Sequence, residues 1–446
     1  MNDPSDPIPF AYPFIAKEEE DAVLAVLRSG WLTTGAQALG FEKDFQAFLG
    51  PDVHALAVNS ATSGLHLALE ACGVGPGDVV LTCPYTFTAT AEVARYLGAD
   101  VAFVDTQPGS YLIDPTALKR TLDRLSQGLP AYPDRPSRPA EPDLPRAGTG
   151  EPRSTVSCSS QGFGPRGRPA AVIPVHFAGL LCDMDAIAEA CAPFRTRVVE
   201  DAAHSFPSRL QDGRWGGLLG DVGVFSFYAT KTITTGEGGM VVTRKADIAA
   251  RVAVMRSHGI DRSVWNRYTD SKASWRYAVV EAGFKYNLPD ILAALGRVQL
   301  TRAMDLLAMR QEIAAEYDQA FDPDTRFMIP PTGDGDARHL YPLRLAGVRP
   351  QNLGVRPQPG QGSGSTYRDR FIRAMQEGGV GVSVHFIPLH TMPYYAERYG
   401  LEDGDFPNAL EQFERTVSLP IWPGMTKKQV ARVIELAKSS ADTVRL

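Results

Sequence analysis

Leu56-Ala57-Val58-Asn59-Ser60-Ala61-Thr62-Ser63-Gly64-Leu65-His66-Leu67-Ala68-Leu69-Glu70-Ala71 is the stretch that decides the fold. It opens on a short apolar strand, turns through small and hydroxylated residues, and continues as a helix from Thr62 to Ala71 that Gly73 stops. The same alternation repeats downstream. Strands are predicted at Val79–Leu81, Val101–Val104, Ala171–Val175, Arg197–Val199, Gly223–Phe227 and Met240–Thr243. Helices are predicted between them at Thr88–Tyr96, Pro115–Leu125 and Met184–Cys191. Two more precede the first strand, from Lys17 to Arg28 (ended by Ser29-Gly30) and from Leu39 to Leu49. Short β-rich runs alternating with helical patterns predict an α/β fold, its sheet mostly parallel and covered on both faces.

The rhythm fails in two places. Gln127 to Arg168 is crowded with Pro, Gly, Ser and Arg and has almost no apolar periodicity. It reads as a disordered loop or lid, because it cannot bury enough surface to offset chain entropy. A smaller segment of the same kind runs from Gly347 to Ser365. A long helix is expected from about Pro289 to Ala320, broken once. Beyond it, a strand at Leu340–Leu345, a helix at Tyr367–Gln376, a strand at Gly381–Phe386 and a helix at Thr426–Ser439 predict a smaller α+β domain. The expected division is a large domain over residues 1–300 and a small one over 301–446.

With 446 residues, 44% hydrophobic and 22% charged, the chain is long and apolar enough to build its core without a disulfide or metal staple. A net charge of −6 gives no footprint for nucleic acid or an anionic membrane. Five cysteines, none in C-x-x-C spacing, indicate neither a zinc nor a redox site, and no metal is expected. They suggest a reducing cytoplasm. Met1 to Pro9 lacks the basic region and apolar core of a signal peptide, and no uncharged apolar run reaches the roughly 18 residues of a membrane span.

Four loop features fall on one edge of the predicted sheet, outside the strand ends where open α/β sheets bind ligands. Asn59 to Gly64 sits at a helix N-terminus, where backbone N–H groups and hydroxyls suit a phosphate; a plain N-cap is the alternative. Val198-Val199-Glu200-Asp201-Ala202-Ala203-His204 ends a strand on a carboxylate. Such an Asp either caps a helix or pairs with a protonated ring nitrogen. Phe225-Ser226-Phe227-Tyr228-Ala229-Thr230-Lys231, followed by Thr235-Gly236-Glu237-Gly238-Gly239, puts a lysine just past an apolar strand. Partial desolvation there lowers its pKa and suits it to Schiff-base chemistry. Phe87, in Thr86-Phe87-Thr88-Ala89-Thr90, is placed to stack on a flat ring or to fill the core.

Together with Ser29-Gly30-Trp31-Leu32-Thr33-Thr34-Gly35, these motifs resemble the DegT/StrS-type sugar aminotransferases, most closely those that aminate nucleotide-linked 4-keto-sugars. The resemblance spans about Ile8 to Ile434 apart from the two low-complexity segments. It implies pyridoxal 5'-phosphate (PLP) fold type I: a large domain with a mostly parallel, seven-stranded-type sheet and a smaller C-terminal α+β domain. It implies that Lys231 holds PLP as a Schiff base and shuttles protons, and that Asp201 pairs with the pyridinium nitrogen. Ala61, Thr62, Ser63 and Ser226 then hold the phosphate, Phe87 stacks on the ring, and His176 and His204 lie beside the cofactor, with a core histidine as the alternative for His176. Gly283-Phe284-Lys285-Tyr286-Asn287-Leu288-Pro289-Asp290 resembles the segment that enters the neighbouring subunit's site. Lys285 and Asn287 would reach the partner's phosphate and substrate in a homodimer with shared sites; a plain helix N-terminus with Pro289 near its first turn is the alternative. Trp31, Thr33 and His385 would face the substrate, with a surface or structural histidine as the alternative for His385. The implied reaction moves an amino group from L-glutamate, or glutamine, to a UDP- or dTDP-linked 4-keto or 3-keto sugar. Rival readings are a keto-cyclitol acceptor, a sugar dehydratase (whose family members carry His where Lys231 stands) and a non-catalytic PLP-binding regulator.

Overall fold

Two helices lead into the sheet in the computed structural model of the chain, which describes residues 6–135, 162–261, 277–333, 335–346 and 366–443. They are α1 (Lys17–Ser29), ended by Gly30 in the left-handed region at φ 73°, and α2 (Ala36–Leu49). Then come β1 (His54–Val58), α3 (Ala61–Ala71), β2 (Asp78–Thr82), α4 (Ala89–Tyr96), β3 (Asp100–Phe103) and α5 (Pro115–Ser126). The unit continues with β4 (Arg168–Ile173), α6 (Met184–Cys191), β5 (Arg197–Asp201), β6 (Val222–Ser226), β7 (Gly239–Thr243) and α7 (Ala246–Met255). The sheet has seven strands in the order β1-β7-β6-β5-β4-β2-β3. The pairs from β6 through β3 are parallel, and β7 is antiparallel to both its neighbours. Every residue of β2, β6 and β7 is buried, as a sheet covered on both faces requires.

The second half begins with α8 (Asp290–Thr301) and α9 (Ala303–Phe321), one helical run interrupted at Arg302 (φ −108°, ψ 8°). Then follow β8 (Phe327–Met328), β9 (Tyr341–Leu345), α10 (Tyr367–Glu377), α11 (Pro393–Tyr399), α12 (Pro407–Arg415), β10 (Thr416–Leu419) and α13 (Lys427–Thr443). The strands form an antiparallel sheet in the order β10-β9-β8. Tyr317, Phe321, Tyr341, Phe371, Val417 and Val433 build a core of their own beneath it.

Three expectations need correction. The strand foreseen at Gly381–Phe386 makes a single bridge, Ser383 to Ser418, and then leaves the ladder. The backbone there is held by the larger unit instead: the buried Tyr85 hydroxyl donates to the His385 carbonyl at 2.5 Å. The division at residue 300 also oversimplifies the chain. Ile8 exchanges hydrogen bonds with Gly379 and Gly381 and lies in the second core, whereas Tyr395, Tyr399 and Phe406 of the C-terminal half belong to the first.

The third concerns Gln127 to Arg168, whose ends are ordered. Tyr132 is buried, pairs with Phe163, and its hydroxyl oxygen accepts the Phe103 N–H at 2.6 Å, satisfying the edge strand β3. Arg135 stacks on Phe163 at 4.0 Å and binds Asp405 at 2.6 Å. Two aromatic residues supply the burial that the surrounding composition lacks. Residues 136–161, like the 347–365 segment, lie outside the described residues.

Replacing Tyr132 by Phe leaves a buried N–H without an acceptor. It is expected to cost about 1–3 kcal/mol in equilibrium denaturation. Arg135→Ala, on an accessible ion pair, should cost about 1 kcal/mol or less. Equal effects from the two variants would show that the insert is not anchored through Tyr132.

Candidate active site

The register of the sheet brings three chain segments to one place. Gly239, the first residue of β7, lies opposite both Val58 at the end of β1 and Ser226 at the end of β6. A Cβ on Gly239 would stand 2.8 Å from the Ala61 nitrogen and 2.9 Å from the Phe225 oxygen. Only glycine lets the start of α3 and the end of β6 approach this closely. Beside them β5 ends on Asp201. A cavity of about 570 Å³ opens at this edge, and Asp201, Lys231, Ser226, Thr62, Phe87 and His204 all line it.

Asp201 is 6% exposed. Its Oδ2 accepts from the Thr90 hydroxyl at 2.7 Å and its Oδ1 from the Ala203 N–H at 3.2 Å. Thr86 and Thr90 also share a hydrogen bond at 2.7 Å. Since the Thr90 proton goes to Asp201, Thr86 is the donor in that second bond. Burial raises the Asp201 pKa, opposed by the Thr90 and Ala203 hydrogen bonds and the nearby Lys231 charge. Lys231 is partly open to the cavity. Burial lowers its pKa to about 8, with Asp201 acting to raise it and Arg310 to lower it further. A sizeable neutral fraction near physiological pH makes this amine a nucleophile.

The N-terminus of α3 lines the same cavity. Ser60 caps it, its Oγ accepting the Ser63 N–H at 3.1 Å. Ala61 and Thr62 line the cavity, where free helix N–H groups and the Thr62 and Ser226 hydroxyls suit a phosphate. Ser63, expected among these donors, does not line the cavity: its hydroxyl donates to Asn59 Oδ1 at 2.6 Å within the cap. Phe87 stands at the mouth, exposed, its ring 5.9 Å from that of Phe386.

Three histidines form the far wall. His204 Nδ1 accepts the Ala178 N–H at 3.3 Å, which puts the proton of the neutral ring on Nε2. The His204 ring lies 4.5 Å from that of His339, a lining residue that no local sequence signal singled out. His385 is bonded through Nδ1 to Ser418 Oγ at 2.9 Å. Burial depresses all three, His385 to about 4, so the wall is uncharged at neutral pH.

His176 is not in the cavity. It is fully buried, bonded through Nε2 to Glu200 at 2.8 Å, while its Nδ1 accepts the Cys182 N–H at 3.1 Å. Adjacent strand residues point to opposite faces, so Glu200 and Asp201 cannot both reach the cavity. Glu200 instead accepts the N–H groups of Gly217, Leu219 and Gly220. Of the two sequence readings of His176, the structure has the core histidine.

Trp31, Thr33, Lys285 and Asn287 gather away from the cavity of their own chain. Trp31 Nε1 donates to the Thr34 carbonyl at 3.3 Å, and the Thr33 carbonyl accepts the Asp290 N–H at 3.2 Å. Asn287 donates to the Thr34 hydroxyl, and Lys285 donates to Asn287 Oδ1.

The depressed lysine has a thermodynamic signature. Between pH about 8 and 10.5 the unfolded chain holds a proton on Lys231 that the folded cofactor-free chain has released. Stability therefore rises with pH across this window relative to a chain without the lysine. Below it, Lys231→Met should be the more stable protein, and the gap should close as pH climbs to 10.5. Thermal melts of both proteins at matched pH decide this; a pH-independent gap would contradict it.

The donor set fits one group well. A buried carboxylate facing a lysine suits a ring nitrogen that must stay protonated. A helix N-terminus with two hydroxyls suits a phosphate, and a nucleophilic amine between them suits an aldehyde. PLP carries all three. The comparisons with known proteins agree. The sequence profile of the DegT/DnrJ/EryC1/StrS aminotransferase family matches residues 13–129 and 165–438, skipping the insert. The spore coat polysaccharide biosynthesis protein SpsC of Bacillus subtilis (strain 168) is 38% identical over 432 residues, covering 97% of this chain and 96% of SpsC. Among solved structures, the putative sugar aminotransferase Spr1654 from Streptococcus pneumoniae in its PMP form superposes with a TM-score of 0.78. It is 26% identical, covering 98% of this chain and all of its own. Sugar aminotransferase CalS13 from Micromonospora echinospora gives a TM-score of 0.73 at 25% identity, over 97% of this chain and 99% of its own. The chain belongs to the DegT/DnrJ/EryC1/StrS aminotransferase family: it is a transaminase of PLP fold type I, and PLP is its cofactor.

Proposed function

We propose that this transaminase moves an amino group from L-glutamate to a keto-sugar carried on a nucleoside diphosphate, for amino-sugar and polysaccharide synthesis. The observation that carries the reading is the placement of Lys231 and Asp201 on one cavity with the N-terminus of α3. When bound, PLP supplies the reactive carbonyl and a conjugated electron sink. The chain supplies the rest. Thr62, Ser226 and the helix N-terminus anchor the phosphate. Asp201, oriented by Thr90, keeps the ring nitrogen protonated. Lys231 Nζ, freed when the donor amine takes its place, would take the proton from the donor's α-carbon and deliver it two atoms along, to the carbon on the far side of the amine nitrogen. In the second half-reaction it carries the proton in the reverse direction, so one base serves both. Phe87 covers the ring face. His204, His339 and His385 form an uncharged wall where the sugar enters.

The sugar acceptor is supported by the relatives. Spr1654 and CalS13 are described as sugar aminotransferases, and SpsC by its role in spore coat polysaccharide biosynthesis. Within the described residues no helix is long and apolar enough to cross a membrane, and we place the reaction in the cytoplasm. The working unit in this reading is a homodimer. Trp31, Thr33, Lys285 and Asn287 do not line their own chain's cavity, and Leu32, Tyr277, Val279 and Val280, near them in sequence, are exposed. They are assigned here to the partner's site.

Purified protein with PLP should show a band at roughly 420 nm that moves to about 330 nm with L-glutamate, with Lys231→Ala failing to respond. A panel of UDP- and dTDP-linked 4-keto and 3-keto sugars should then restore the first band. Restoration by keto-cyclitols alone would replace the acceptor class. Restoration by none, with glutamate inert, would leave a non-catalytic protein.

The shared site has its own test. Co-refolded Lys231→Ala and Asn287→Ala chains, each impaired alone, should recover activity in mixed dimers. No recovery would assign residues 285–287 to their own chain.

A further inference from the structure

A buried guanidinium lies directly behind the site. Arg310, on α9, is 3% exposed, and among the described residues no carboxylate pairs with it. Its Nη1 donates to the carbonyls of His339 at 3.1 Å and Ile421 at 2.7 Å, and its Nη2 to that of Thr230 at 3.4 Å. Its Nε has no partner. The three acceptors come from three segments. Thr230 immediately precedes Lys231, His339 stands just ahead of β9, and Ile421 lies just past β10. All three residues line the cavity.

Burying a cation on neutral carbonyls alone is costly, and an apolar side chain of similar volume would fill the same space without that cost. Packing therefore does not explain an arginine here.

We infer that Arg310 is a positioning residue for Lys231: from α9 it ties together the three chain segments that converge on the lysine and fixes a positive charge behind it. The inference rests on the proposed role of Lys231 as the residue that carries the cofactor. Five titratable or charged groups interact electrostatically with that lysine: Asp201, Arg310, His204, His339 and His385; Tyr228 and the exposed Glu237 also line the cavity. Burial keeps the three histidines neutral, so Asp201 and Arg310 are the two full charges. They act in opposite directions. Asp201 favours the ammonium form of Lys231, and Arg310 disfavours it. An amine attacks a carbonyl carbon only through its lone pair. With Arg310 removed, burial alone opposes Asp201, and Lys231 keeps its proton to higher pH.

The test reads the lysine itself in cofactor-free protein. A small amine-reactive ester is applied from neutral to alkaline pH, and labelling of the Lys231 peptide is quantified by mass spectrometry. The wild type should show a midpoint near 8. In Arg310→Met the midpoint should rise by roughly half a unit or more, whereas Arg310→Lys, which keeps the charge, should stay near the wild type. Arg310→Gln is neutral but retains an N–H₂ group for the carbonyls. It carries the same expectation as Met and decides the matter if Met does not fold. A folded neutral variant that only melts earlier, with its midpoint unmoved, makes Arg310 a structural tie and overturns the inference. Uptake of PLP by the wild type is followed in parallel. Failure there would sink the proposed function and leave the Arg310 comparison readable by itself.

Discussion

Everything at the site depends on how closely β7 can pass between β1 and β6. Because β7 runs antiparallel to both, its first residue meets the last residues of the other two. The turn into α3 and the turn toward Lys231 therefore start side by side. The contact is backbone against backbone, with a would-be Cβ on Gly239 less than 3 Å from the Ala61 nitrogen, the Ser60 carbon and the Phe225 oxygen. No side chain relieves such a contact by choosing another rotamer. The position must be glycine, or the phosphate corner and the lysine corner separate.

The second constraint is electrostatic. β5 ends in two successive carboxylates, and strand alternation sends them to opposite faces. Glu200 is held by three backbone N–H groups and His176, and so serves the loop at residues 217–220. Asp201 receives one hydroxyl and one N–H, fewer donors than a buried carboxylate can accept. That shortfall makes Asp201 the carboxylate able to take a positively charged ring nitrogen. The neutral histidines opposite add no competing cation.

The βα rhythm was legible because each strand is short, apolar and followed by a turn rich in small residues. The strand ends carrying Asp201 and Ser226, and the lysine five residues beyond Ser226, could be read from the same pattern. Other features were not local. Thr90 reaches Asp201 from α4, a helix packed on α3, β2 and β3, while His339 reaches the cavity wall, and Arg310 the space behind it, from the second half of the chain. Each looks ordinary in its own segment: a first-turn threonine, a helix arginine, a histidine before a strand. Ser63 and His176 failed in the opposite way. Both sit in suggestive motifs, but nearer partners, Asn59 and Glu200, take their polar atoms. Gln127–Arg168 was misread at its ends because composition averages over a segment, and two aromatic residues suffice to anchor a chain.

The interleaving of the two cores bears directly on substrate entry. Ile8 is hydrogen-bonded into the second unit, and Phe10 and Ala11 follow it into the cavity wall beside Ser383, His385 and Phe386. The wall facing Lys231 is thus built from both ends of the chain and joined to the second core. The lysine and phosphate corners belong to the large sheet. His339 and Ile421 are tied to the second core through Arg310 on α9, and the same side chain is bonded to Thr230, beside Lys231. One guanidinium thus joins the wall built by the second core to the segment of the large unit that carries the lysine.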